Sequence, residues 1–173
     1  MNRRFWGLTL ALLLLVPCAA GQGQGQRRTP ETTIRLPEDQ ALDKALSEML
    51  AAWQVGDLEA LHLFFADDVT VVSGAFEPPI VGWTNYAKAY QLQRQRIQQP
   101  RMERRNTLVH LRGNLAWASY QWEFAALVDG KPMVARGHTS LVLEKRRDRW
   151  VILHNHTSTV GEPQMTSPPA PQP

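Results

Sequence analysis

Between residues 37 and 56 the apolar side chains recur every three or four positions, at Leu42, Leu46, Met49, Leu50 and Trp53. That spacing predicts an amphipathic helix over EDQALDKALSEMLAAWQVGD, with Pro37 in its first turn and Gly56 as its stop. Asp57 can cap a second helix, LEALHLFF. The period then changes. ADDVTVVSG reads as a short strand, and EPPIVGW is a non-helical connector because Pro78 and Pro79 lack the amide hydrogens a helix needs. Thr84 can cap a third helix, NYAKAYQLQRQRI, which should end before Pro100.

From residue 102 onward the two-residue alternation of strands takes over. MERRNTLVHLRG contains a strand that turns at Gly113-Asn114, and LAWASYQWEFAALV contains the next, turning at Asp129-Gly130. KPMVARGHTSLVLEK and WVILHNHTS follow, joined by RRD. Helices gathered at one end of the chain and an antiparallel meander at the other define an α+β domain. It should run from about residue 34 to 160.

The ends carry a different signal. MNRRF is a short basic start, GLTLALLLLVP an apolar run too short for an ordinary membrane span, and Cys18 and Ala20 suit the −3 and −1 positions of a cleavage site. Residues 1–20 therefore read as a signal peptide, and the protein as secreted or periplasmic. Lipid anchoring at Cys18 is the alternative, although Pro17 stands where such signals need a small flexible residue. GQGQGQRRTPETT, from residue 21 to 33, is a flexible spacer, and the proline-rich stretch 161–173 a disordered tail. Cys18 is the only cysteine, so the mature domain has neither a disulfide nor a thiol nucleophile and rests on an apolar core. The formal charge of +3 changes little. The densest basic stretch, RQRIQQPRMERR, has no interleaved aromatic residues, so nucleic acid is not an expected partner. No motif calls for a cofactor.

The last strand carries two histidines one residue apart. Strict alternation puts Trp150, Ile152, His154, His156 and Ser158 on one face and Val151, Leu153, Asn155 and Thr157 on the other. If the RRD turn pairs Glu144 with Trp150, His138 falls opposite His156, and His138, His154 and His156 share one surface. Three such imidazoles could hold zinc, copper or nickel, or His154 or His156 could act as a general base; the plainer reading is a polar stripe on a solvent or dimer face. Asp67 and Asp68 read as strand-entry or capping residues, and His62 as a solvated histidine.

The order of elements resembles the nuclear transport factor 2-like superfamily, and within it the SnoaL-like and calcium/calmodulin-dependent kinase association-domain branch. The phrases AAWQVGDLEALHLFFADDV, IVGWTNYAKAY, LAWASYQWEF and GHTSLVLEKRRDRWVILHNHTS carry the resemblance. It implies a cone in which a curved, mainly antiparallel mixed sheet wraps three helices around a cavity, with homodimers formed through the outer sheet face. It also implies cavity-facing positions for Tyr120, Trp122, Thr139, Asn155 and Thr157, with Trp53 from the first helix, and a small, largely apolar ligand. The arginines of the kinase association domains correspond here to Trp122, Leu141 and Thr157, so their carboxylate-binding role is not expected. In an isomerase, dehydratase or cyclase type of enzyme, Tyr120 would donate to a developing oxyanion, and His154 or His156 would be the base only if the strand faced the other way. A non-catalytic assembly module is the remaining alternative.

Overall fold

The computed structural model describes residues 37–74, 77–162 and 164–165. The expected signal peptide, the spacer, Cys18 and most of the proline-rich tail lie outside the described residues.

The apolar spacing at the start of the domain produces α1 (Glu38–Val55). Leu42, Leu46, Met49 and Leu50 are buried against the sheet. Each such side chain contributes about 1.5–3 kcal/mol by leaving water. The helix ends at Gly56, whose φ of 85° is the left-handed conformation that glycine adopts without strain. The Asp57 carboxylate then accepts from the Ala60 amide at 2.9 Å and opens α2 (Leu58–His62). α2 is shorter than its sequence promised, because Phe65 already belongs to β1 (Phe65–Val72). β2 (Ile80–Val81) pairs with β1 inside the stretch read as a connector. α3 (Trp83–Arg96) is capped at Gly82, not at Thr84.

Four long strands follow: β3 (Ile97–Arg112), β4 (Leu115–Val128), β5 (Lys131–Arg146) and β6 (Arg149–Thr159). β4 keeps the limits its alternation predicts. β3 begins five residues before Met102, running straight on from α3 through Pro100. Its ladder with β4 is broken twice, beside Gln99 and beside Asn106, both with φ of 51°. Those bulges let the strand carry Pro100 and bend. β7 (Gln164–Met165) pairs with β5 within the stretch read as a disordered tail. The strand order is β2-β1-β6-β5-β4-β3, with β7 also on β5; β1 and β6 run parallel and the other pairs antiparallel.

The β5–β6 register corrects the expected one. Arg146 pairs with Arg149 across a two-residue turn, which already shifts the ladder by one. A second shift follows where Leu143 pairs with Ile152 but Val142 pairs with His154, leaving Leu153 as an extra residue on β6. His138 therefore lies opposite Ser158, and His156 opposite Ser140. The bulge also breaks strict alternation. Trp150 and Ile152 are buried in the core, yet His154 and His156 face outward with Val142 and Ser140.

Candidate functional site

α1, α3 and the concave face of the sheet leave a cavity of about 360 Å³ between them. All six residues placed there by the family resemblance line it: Trp53, Tyr120, Trp122, Thr139, Asn155 and Thr157. The side chains reach it because β4, β5 and β6 present alternate residues inward. Tyr120 pairs with Thr139 across one ladder, and Thr139 with Thr157 across the next.

The polar part of the wall is a chain of side chains. Thr157 donates to the Asn155 Oδ1 at 3.0 Å, and the Thr139 and Thr157 hydroxyls lie 2.8 Å apart. Thr139 is only 3% exposed, so its hydroxyl depends on these partners. Burial pushes the Tyr120 hydroxyl pKa up, against weaker opposing effects of the Thr139 hydroxyl and the Arg104 guanidinium. Arg104 stands 5.9 Å from the Tyr120 ring and is tied to α1 by Asp43 at 2.7 Å and Ser47 at 3.0 Å.

The rest of the wall is apolar or aromatic. Met49, Leu50, Phe65, Met102, Phe124 and Met133 supply most of it. Trp53 meets Phe124 edge to face at 6.0 Å and Tyr90 at the same distance, and the Tyr90 hydroxyl donates to the Trp53 carbonyl at 2.5 Å. Tyr86 also lines the cavity and stacks on Phe65 at 5.0 Å; burial raises its pKa well above the usual tyrosine value. Sequence reasoning missed Tyr86. The signal was present, since Tyr86, Tyr90 and Gln93 sit at the i, i+4, i+7 spacing of one α3 face. Among the described residues, no Asp, Glu, His, Lys or Arg lines the cavity.

The other candidates lie elsewhere. His138, His154 and His156 are on the outer face of the sheet, so neither β6 histidine is a base for the cavity. His138 meets Gln121 at 3.3 Å. Among the described residues, no three His, Cys, Asp or Glu side chains are grouped to hold a metal ion, and the register shift at Leu153 is part of the reason. His62 bonds the exposed Asp67 at 2.8 Å and stacks on Trp83 at 4.4 Å. A larger recess of about 740 Å³ opens beside the outward residues Arg101, Glu103, Arg105, Glu123 and Arg136. Its charges are partly satisfied by one another, through Arg101–Glu103 at 3.2 Å, Arg105–Glu103 at 3.1 Å and Arg105–Glu123 at 3.2 Å. Together with Arg96–Asp129 and Arg104–Asp43, these pairs engage much of the basic stretch noted in the sequence.

A SnoaL-like domain model matches residues 42–162. The chain belongs to the SnoaL-like family. Solved structures with the same fold include a nuclear transport factor 2-like superfamily protein from Salmonella enterica serovar Typhimurium. It is 20% identical with a TM-score of 0.65, over 71% of this chain and 91% of that one. A ketosteroid isomerase-like protein from Erwinia carotovora atroseptica is 18% identical with a TM-score of 0.63, over 73% and 100%. A Xanthomonas campestris protein, provisionally described as a calcium/calmodulin dependent protein kinase II association domain, is 17% identical with a TM-score of 0.64, over 73% and 91%. At these identities the likeness is one of fold. No curated protein matches the sequence. Among the described residues, no helix is long and apolar enough to cross a membrane.

Proposed function

We propose that this SnoaL-like protein is exported and binds a small, uncharged, largely apolar molecule in its cone. The observation that carries the reading is the cavity wall itself, with apolar and aromatic sides, one patch of neutral hydrogen-bonding groups and no charge among the described residues. A volume near 360 Å³ is at the lower end of the ~300–1,000 Å³ usual for ligand pockets. A buried ion there would lose its hydration with no opposite charge to compensate. Export is supported by the basic start, apolar run and small-residue site of residues 1–20.

Proton-transfer chemistry of an isomerase, dehydratase or cyclase type is less well supported. Tyr120 offers a donor for an oxyanion, but no described residue of the lining is a base of ordinary strength. Binding without turnover is the reading that fits the wall. Calorimetric titration with naphthalene-sized probes tests it. 2-Naphthol should bind and quench the fluorescence of Trp53 and Trp122, whereas 2-naphthoate, similar in shape but anionic, should not. Equal binding of the anion would defeat the reading.

The outer face supports a second element, self-association. Leu108, Trp117 and Val142 are 64%, 42% and 40% exposed on neighbouring strands, and Trp117 lies directly opposite Val142. Sedimentation of the protein and of Trp117→Glu tests this, with a dimer expected for the first and a monomer for the second.

A further inference from the structure

We propose that the polar wall of the cavity has a fixed proton order ending in the Asn155 amide N–H groups, so that it selects a ligand bearing a carbonyl over the matching alcohol. The inference rests on the reading of the cavity as a binding site and adds the chemical class of the group that reaches its polar side.

The order follows from which atoms can donate. An amide oxygen only accepts, so the single proton of the Thr157 hydroxyl is committed to the Asn155 Oδ1, 3.0 Å away. Thr157 then has none for Thr139, and the 2.8 Å bond between them must carry the Thr139 proton. Both threonine hydroxyls pass their protons the same way, toward Asn155. Both Asn155 Nδ2 protons are left over at the end of the chain, where Asn155 lines the cavity.

The Trp122 Nε1–H, buried and without an acceptor, is closed off from the cavity and takes no part. Unpaired buried donors are rarer than acceptors with an idle lone pair, so this wall is completed by lone pairs. A ketone or ester carbonyl brings two lone pairs and no proton. An alcohol adds one more proton to a wall where the two of Asn155 are already uncommitted.

The test uses the full chain and three ring-matched probes, 1-tetralone, 1-tetralol and tetralin, titrated by calorimetry. The ketone should bind about ten-fold more tightly than the alcohol, the scale of discrimination one misplaced buried hydrogen bond produces. Asn155→Leu should bring the ketone to the affinity of tetralin. Asn155→Asp, of the same shape but with acceptors only, should reverse the order in favour of the alcohol. If all three probes bind the native protein equally, the cavity binds apolar molecules but does not read the carbonyl, and the inference falls alone. If the alcohol binds tightest, the amide is turned the other way and the proton order is wrong. If none binds, the binding reading fails and the inference with it.

Discussion

On β4, Tyr120, Trp122 and Phe124 point into the cone, while Ser119, Gln121 and Glu123 leave the same backbone in the other direction. The inward set is buried and joins the core, with its polar atoms either chained together or closed off. The outward set pairs in contact with solvent, Ser119 with Ser140 at 3.2 Å and Gln121 with Asn106 at 2.6 Å. A hydrogen bond on the inner face replaces one that water can no longer supply. On the outer face water competes for every partner. The same kind of group is therefore structural on one side and interchangeable on the other.

The most damaging way to break this contrast is at Gly137, where β5 crosses beneath Trp122. A Cβ at that position would lie 1.9 Å from the Ser158 carbonyl oxygen and 2.3 Å from the Trp122 ring. Neither backbone nor packed indole can yield that much. Gly137→Ala should lose about 3 kcal/mol or more in urea unfolding, and with it the inner wall. Thr139→Val comes next. It keeps the shape but interrupts the hydroxyl chain, leaving Thr157 short of a partner, and should cost about 1–2 kcal/mol in the same measurement. Ser140→Ala, the neighbouring residue on the outer face, should stay within about 0.5 kcal/mol of the native protein and leave probe binding intact. A loss as large as that of Thr139→Val would erase the distinction between the faces.

The smallest effect belongs to neither face. Asp129, in the β4–β5 turn, is bound by Arg96 at 2.6 Å, and that bond holds its carboxyl pKa below the usual value. A carboxyl depressed on folding stabilises the protein at neutral pH and ceases to do so as pH falls through its folded pKa. The site is exposed, so solvent screens most of the benefit. Asp129→Asn should lower the melting temperature slightly at pH 7, and the gap from the native protein should close as the pH drops below the ordinary aspartate range.

Much of the fold was legible because its elements advertise themselves locally. The α1 stripe, the Gly56 stop, the Asp57 cap and the limits of β4 are all written in periodicity and turn chemistry. What could not be read was set by partners distant in sequence. β2 and β7 are two residues each and exist only because β1 and β5 offer an edge. Pro100 looked like a boundary because the bulge that accommodates it becomes visible only against β4. The inward positions of Tyr120, Trp122, Thr139, Asn155 and Thr157 were placed by the family pattern. Tyr86 was not: the stripe of Tyr86, Tyr90 and Gln93 marks one face of α3, but such a stripe looks alike whether it fills a core or faces a space.

The extra residue at Leu153 acts like a shift of reading frame in the sheet. Counted regularly from the buried Ile152, the letters HNHT would present two imidazoles to the interior. Displaced by one position, they present an amide and a hydroxyl instead. A neutral wall and a wall equipped with a base are thus spelled by the same four residues. A lineage could pass from one to the other by gaining or losing a single kink, with no substitution at the wall itself.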